Sequence, residues 1–215
     1  MEAASSLPRE CADLKLSTNG VHTIYPYGEL SKPMYCFVDD TGHSWTVIQR
    51  RFDGSVNFYR DWQDYKNGFG QASGEHWIGN DIIHAITADS NHALMILMTD
   101  YNNVTKYAEY LSFHVDNEEN AYRLMLGKYT GNAGDSLMEH DGQKFSTYDR
   151  DNDVGSGSCA QGSKGAWWYS KCHQSNLNGL YLRGQNSQYA LGVVWKAWHG
   201  YYYSLKTTTM MIRKY

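Results

Sequence analysis

Asp149, Asp151 and Asp153 stand at alternate positions and are followed by Gly155 and Gly157, which puts carboxylates and freely bending backbone in one short loop. Calcium takes roughly six to eight oxygens from carboxylates, carbonyls and water, and such a loop can offer both kinds of protein oxygen. The EF-hand pattern is not met: counted from Asp149, the sixth position is Val154 where glycine is required, and the twelfth is Ala160 where a bidentate Glu is required. The same composition suits a solvated acidic turn. Beyond the glycines the chain runs from Cys159 to Cys172 and closes on His173. The stretch 148–173 is therefore read as a calcium loop that, with a disulfide, braces a small-ligand pocket beside it.

Other chemistries find less support. Cys172 and His173 are adjacent, which points their side chains in different directions, and a disulfide-bonded sulfur is no nucleophile. Ser163 lies in no GxSxG context, and neither paired catalytic carboxylates nor a phosphate loop occurs. The chain is expected not to be an enzyme.

These residues must be held by a core, and 215 residues suffice for one well-buried domain. Eighteen Tyr and seven Trp against three Pro describe a packed chain with aromatic surface to spare for recognition. A formal charge of −4 without any basic run excludes the electrostatic footprint of a nucleic-acid binder. The four cysteines make an even set that allows three connectivities, and their spacing matches no compact CxxC zinc pair. Two disulfides and an oxidising compartment are expected, and Asn103-Val104-Thr105 forms a glycosylation acceptor that suits it. Residues 1–10 hold no signal-peptide core, and no apolar run is long enough to span a bilayer, so the expectation is a mature or excised part of a secreted protein without membrane insertion.

Along the chain, residues 1–10 are a polar lead-in to the domain, 11–215. A short helix near Cys11, a turn at Asn19-Gly20 and a strand at His22–Tyr25 precede a hairpin, Tyr35–Val38 with Trp45–Arg50, across Asp39–Gly42. Aromatics at 62, 65 and 69 predict a helix from Trp62 to Phe69, and a second helix is predicted at Asn80–Ile86. Ala93–Thr99 is a continuous apolar run, hence a buried central strand, with Tyr107–Val115 and Ala121–Leu126 as further strands. From Tyr129 to Arg183 polar turn formers dominate, and order returns at Gly192–Trp195 and in a last strand, Ser204–Arg213, rejoining the sheet. This gives a disulfide-stapled part at 11–50, a sheet part at 51–128 with 204–215, and a loop-rich binding part at 129–203. The aromatics Tyr189, Trp195, Trp198, Tyr201, Tyr202 and Tyr203 suit either core or binding surface.

Spaced markers carry a family resemblance: Cys11-Ala12-Asp13-Leu14, Trp45 through Ser55 (WTVIQRRFDGS), Phe58-Tyr59-Arg60, Gly74 through Asp81 (GEHWIGND), Trp167-Trp168, Cys172-His173, Asn176-Leu177-Asn178-Gly179 and Tyr203-Ser204-Leu205-Lys206. The chain resembles a fibrinogen-related domain, the globular C-terminal module of fibrinogen chains, ficolins, tachylectins and angiopoietins. His76 stands where Phe is usual, a local packing change.

That resemblance implies an α+β fold: a single domain with a central twisted antiparallel sheet, short helices and a loop-rich region for calcium and ligand. It implies the disulfides Cys11–Cys36 and Cys159–Cys172, and a Ca2+ site made by the side chains of Asp151 and Asp153 with the carbonyls of Gly155 and Gly157. It also implies a cis peptide between Lys171 and Cys172, turning the N–H groups of Cys172 and His173 toward one point where they would hold an acetyl oxygen. Fibrinogen chains that accept a peptide knob carry Asp at the position of Ala190 and a basic residue at that of Tyr201. Tyr189, Ala190 and Tyr201 instead match the tachylectin pattern, in which two tyrosines and an alanine methyl enclose the ligand methyl. Ser163 departs from it, standing where the tachylectin pocket has another tyrosine. The expectation is a secreted, calcium-dependent lectin domain for N-acetyl groups such as N-acetylglucosamine or N-acetylgalactosamine, serving innate immune recognition as a homo-oligomer. The alternative is a protein-interaction ligand of the angiopoietin or fibrinogen type without an acetyl pocket.

Overall fold

In the computed structural model, which describes residues 7–215, the apolar run from Ala93 lies at the middle of a ten-stranded sheet whose ladders are all antiparallel. The strands on the N-terminal side are β1 (Gly20–Ile24), β2 (Lys32–Val38) and β3 (Ser44–Arg51). Helix α1 (Trp62–Asn67), the two-residue strands β4 (Phe69–Gly70) and β5 (His76–Trp77), and α2 (Asn80–Thr87) follow. Next come β6 (His92–Thr99), β7 (Thr105–Val115), β8 (Leu124–Leu126) and β9 (Tyr129–Gly131). The loop-rich stretch holds α3 (Cys159–Ser163), β10 (Ser175–Asn176), β11 (Gly184–Gln185), β12 (Val194–Trp195), α4 (Lys196–His199) and β13 (Tyr203–Ser204), before the last strand, β14 (Thr207–Lys214).

The sheet order β1-β2-β3-β14-β6-β7-β8 inserts the last strand between β3 and β6. β14 is long and carries Met210, Met211 and Ile212 fully buried, so the C-terminus completes the centre of the sheet. The hairpin β2–β3 and the pairing of β6 with β7 form as the sequence predicts. The stretch 11–50 contributes β1 to β3 to the same sheet and core as the strands that follow.

The short helix near Cys11 is a three-residue 3-10 helix, Cys11–Asp13. Three expectations need correction. The helix predicted to Phe69 stops at Asn67, because Gly68 turns the chain at φ 88° and Phe69 enters β4. Of Ala121–Leu126 only Leu124–Leu126 is strand, since Ala121 and Tyr122 adopt φ of 51° and 49° and bury Tyr122 beneath Trp62. Ser204–Arg213 divides: Ser204 pairs with Gly184, and the sheet strand starts at Thr207.

One core links the sheet to the loops. Trp77, Phe145 and Trp168 pack edge-to-face or tilted, with ring centroids 5.3–6.2 Å apart. Trp167 and Trp195 are buried with them. His76 fits this interior by facing its Nδ1 to the Gly74 carbonyl at 3.0 Å. Burial holds its ring below the usual imidazole range.

Candidate functional site

The acidic loop divides its three aspartates between two tasks. Asp149 caps the start of α1, its Oδ1 accepting from Trp62 N at 2.9 Å and from Thr147 Oγ1 at 2.6 Å. Asp151 and Asp153 stay with the glycines. Asp153 Oδ1 accepts from Gly155 N at 2.7 Å, its Oδ2 from Cys159 N at 2.8 Å, and Asp151 Oδ1 accepts from Asp153 N at 3.1 Å. Burial pushes the Asp153 carboxyl up, as does the neighbouring Asp151, against the pull of the two N–H groups. A Cβ added at Gly155 would stand 2.9 Å from Asp153 Oδ1 and 3.2 Å from the Gly157 carbonyl oxygen. Cys159 Sγ lies 3.4 Å from the same point, so a side chain at Gly155 would crowd the loop.

Among the described residues, no group of three or more His, Cys, Asp or Glu side chains is placed to hold a metal. The donor set that the family resemblance implies is two carboxylates and backbone carbonyls. Such an all-oxygen set fits calcium and not zinc. A cleft of about 470 Å³, lined by Val154–Gly157, Lys171 and Cys172, joins this loop to the next one.

Both disulfides form, Cys11–Cys36 and Cys159–Cys172, with Cα separations of 5.6 and 5.2 Å. The second ties α3 to Cys172, and the Lys171–Cys172 peptide is cis. The Cys172 carbonyl accepts from Ser170 N at 2.8 Å, whereas the N–H groups of Cys172 and His173 donate to no acceptor among the described residues. These are two adjacent donors left for a ligand or water.

His173 is 8% exposed and is fixed from three directions. Its Nε2 faces the Ala190 carbonyl at 3.0 Å, which requires the proton there, and Tyr201 donates its hydroxyl to the His173 carbonyl at 3.0 Å. The ring also packs against Tyr169 and Tyr201 at 5.8 and 5.9 Å. Nδ1, left as the unprotonated nitrogen, is buried without a partner among the described residues. Burial and the nearby His140 lower the His173 ring to about 4, so it is neutral at physiological pH.

Ala190 sits at φ 63° and donates its N–H to the Tyr201 carbonyl at 2.9 Å, which brings Tyr189, Ala190 and Tyr201 together across 11 residues of sequence. Tyr189 is 57% exposed, 5.0 Å from the Tyr201 ring and 5.3 Å from that of Tyr202. The aromatic stretch therefore splits: Trp195 belongs to the core, donating Nε1 to the Gly134 carbonyl, while Tyr189, Tyr201 and Tyr202 form a surface wall. Ser163 ends α3, buried, and offers its carbonyl to Asn176 Nδ2 at 3.1 Å; it does not enter this cluster of contacts.

Sequence reasoning missed the buried polar residues that position these groups. His140 accepts from Gln174 N at Nε2 and places Nδ1 2.7 Å from the Trp168 carbonyl, fixing the chain just after His173. Asn176 accepts from the Tyr169 hydroxyl at 2.6 Å and donates to the Ser163 and Gly192 carbonyls. Only the position of Asn176 in the motif Asn176-Leu177-Asn178-Gly179 hinted at it.

The antiparallel sheet and the loop region that carries Cys159–Cys172 are those of a known family: residues 7–215 match the family described as the C-terminal globular domain of fibrinogen beta and gamma chains, and the chain belongs to that family. Ryncolin-4 of Cerberus rynchops is 48% identical over 95% of this chain and 61% of its own length. Fibrinogen C domain-containing protein 1 of Homo sapiens is 47% identical over 94% of the chain and 46% of its length. The chain thus spans about half to three-fifths of these relatives. Among solved structures, the fibrinogen-like globe domain of human ANGPTL6 superposes with a TM-score of 0.93 at 41% identity, covering 97% of this chain and 96% of that one. Lamprey fibrin D-dimer, complexed with a Gly-His-Arg-Pro-amide peptide, gives 0.90 at 35% identity, covering 98% and 74%.

Proposed function

We propose that this domain is an extracellular, non-enzymatic lectin module that binds N-acetyl groups of glycans, N-acetylglucosamine or N-acetylgalactosamine, beside a Ca2+-holding loop. The observation that carries this reading is the pair of N–H donors on Cys172 and His173 without a partner among the described residues, on a segment whose His173 ring meets the Ala190 carbonyl and whose His173 carbonyl accepts from the Tyr201 hydroxyl. Two donors suit an acetyl oxygen, and apolar ring and methyl surface suits the acetyl methyl. No carboxylate stands at Ala190 to pair with an incoming ammonium, which disfavours a peptide with a free amino terminus.

Calcium, where bound, supplies positive charge at the acidic loop. Asp151 and Asp153 with the carbonyls of Gly155 and Gly157 would hold it, and Cys159–Cys172 carries that order to the donors of Cys172 and His173. Two formed disulfides, with no free cysteine among the described residues, fit an extracellular setting. An acetyl methyl buries little area, so single-site binding would be weak, millimolar to high micromolar or about 4 to 6 kcal/mol, and a homo-oligomer would raise avidity about 100-fold or more.

The test is retention on N-acetylated resin in calcium. Free acetate and N-acetylglucosamine should elute the domain and glucose should not; chelation should release it and lower its melting temperature. Ala190→Asp should abolish retention, because it places an unpaired carboxylate beside the ligand methyl. Asp tolerates positive φ, so the variant should fold. Equal elution by both sugars, or retention of the variant, would leave the protein-ligand reading in its place.

A further inference from the structure

Asn103-Val104-Thr105 is the single Asn-X-Ser/Thr triplet in the chain, and the proposed binding reaction leaves it without a role. It sits at the turn between β6 and β7, where Asn103, Val104 and Thr105 are all exposed and Asn103 adopts φ 61°. The turn is well built. Asp100 Oδ1 accepts from Asn102 N and Val104 N at 2.8 and 2.9 Å, and Asn103 N donates to the Asp100 carbonyl at 3.1 Å.

The Asn103 amide is itself oriented. Lys206 Nζ donates to Asn103 Oδ1 at 2.6 Å; a lysine can only donate, so the oxygen faces the protein and Nδ2 is left without a protein partner among the described residues. The disulfides Cys11–Cys36 and Cys159–Cys172 are those of a chain matured under oxidising conditions, where glycosyl transfer to Asn takes place.

We propose that Asn103 is an N-linked glycosylation site. Asn103 Nδ2 bonds to the anomeric carbon of an oligosaccharide carried on a lipid diphosphate. The bond from that carbon to the diphosphate oxygen breaks, the lipid diphosphate leaves with the electron pair, and the amide loses one proton to solvent. Oδ1 is not consumed, so the Lys206 contact survives the modification. The glycan then stands beside the segment that carries Tyr201, because the same turn is tied to it by Asp100 with His199 at 3.2 Å and by Tyr101 N donating to the Tyr203 hydroxyl at 2.9 Å. This inference is independent of acetyl binding.

The test is mass spectrometry of the chain expressed behind a secretion leader in a eukaryotic cell. The expected result is a peptide containing Asn103 that bears a glycan, with peptide N-glycosidase in heavy-oxygen water converting Asn103 to labelled Asp. Asn103→Gln and Thr105→Ala should lose the glycan, and Thr105→Ser should keep it. Peptide mapping of the cell-retained fraction gives the answer for a variant that is not secreted. An unmodified Asn103 in wild-type chain, while a co-expressed glycoprotein control is modified, would overturn the proposal.

Discussion

The central sheet and the loop region of residues 132–202 are stabilised in different ways. In the sheet, β3, β14, β6 and β7 satisfy one another's backbone groups over long ladders, and side chains have only to be apolar and well packed. In the loops, ladders are two residues long, and buried polar side chains replace them. Asn176, Asn178 and His140 bind carbonyls and N–H groups that no strand reaches. A site made this way can hold unpaired donors open for a ligand, which a ladder would close, but it depends on a few residues.

Acidification should separate the two regions most strongly. Burial holds His140 to about 4, and burial with His140 does the same to His173, against about 6.5 in the unfolded chain. Their folded pKa values are depressed, so below about pH 6.5 the unfolded chain takes up protons that the folded one refuses until about pH 4. Stability is full above that window and falls as pH drops through it, by about 2 kcal/mol per histidine between pH 7.5 and 5. Urea denaturation at the two pH values checks the size. Hydrogen exchange should show the N–H groups around Trp168 and Ala190 losing protection before those of the β6–β14 ladder; simultaneous loss would break the comparison.

Next in size, Asn176→Ala should cost about 3 kcal/mol, because it strands the Tyr169 hydroxyl and two buried carbonyls. Ile96→Val in the sheet should cost only about 1 kcal/mol. Equal losses in urea midpoints would deny that single polar residues govern the loops. An effect as small as that of Ile96→Val is expected for Tyr201→Phe, which removes one hydroxyl donation to the His173 carbonyl and should cost about 1 kcal/mol. Binding of N-acetylglucosamine should weaken more than stability does, since that contact positions the donor of His173.

The same contrast explains what the residue order reveals. The β6 strand and the helix at Asn80 follow from an apolar run and from helical spacing, both local patterns. Gly68 and the left-handed pair Ala121-Tyr122 defeated that approach, because a turn there is set by what the neighbouring Trp77, Ile78 and Trp62 allow. Asp151, Asp153, Cys172, His173, Tyr189, Ala190 and Tyr201 enter the candidate site through the family resemblance and not through any local pattern. The roles of His140 and Asn176 were not legible, since their partners are backbone atoms far away in the chain, and polar residues of that kind have no period. Asp149 shows the reverse: its spacing fits a third calcium ligand, yet it is spent on the N-terminus of α1.

The account rests on two N–H groups being free to grip an acetyl oxygen, and a nitrogen-edited NMR titration of the calcium-loaded domain reads them directly. With N-acetylglucosamine the backbone resonances of Cys172 and His173 should shift saturably in wild type and stay fixed in Ala190→Asp, and glucose should move neither. Saturable binding of N-acetylglucosamine that leaves both resonances in place would contradict the account.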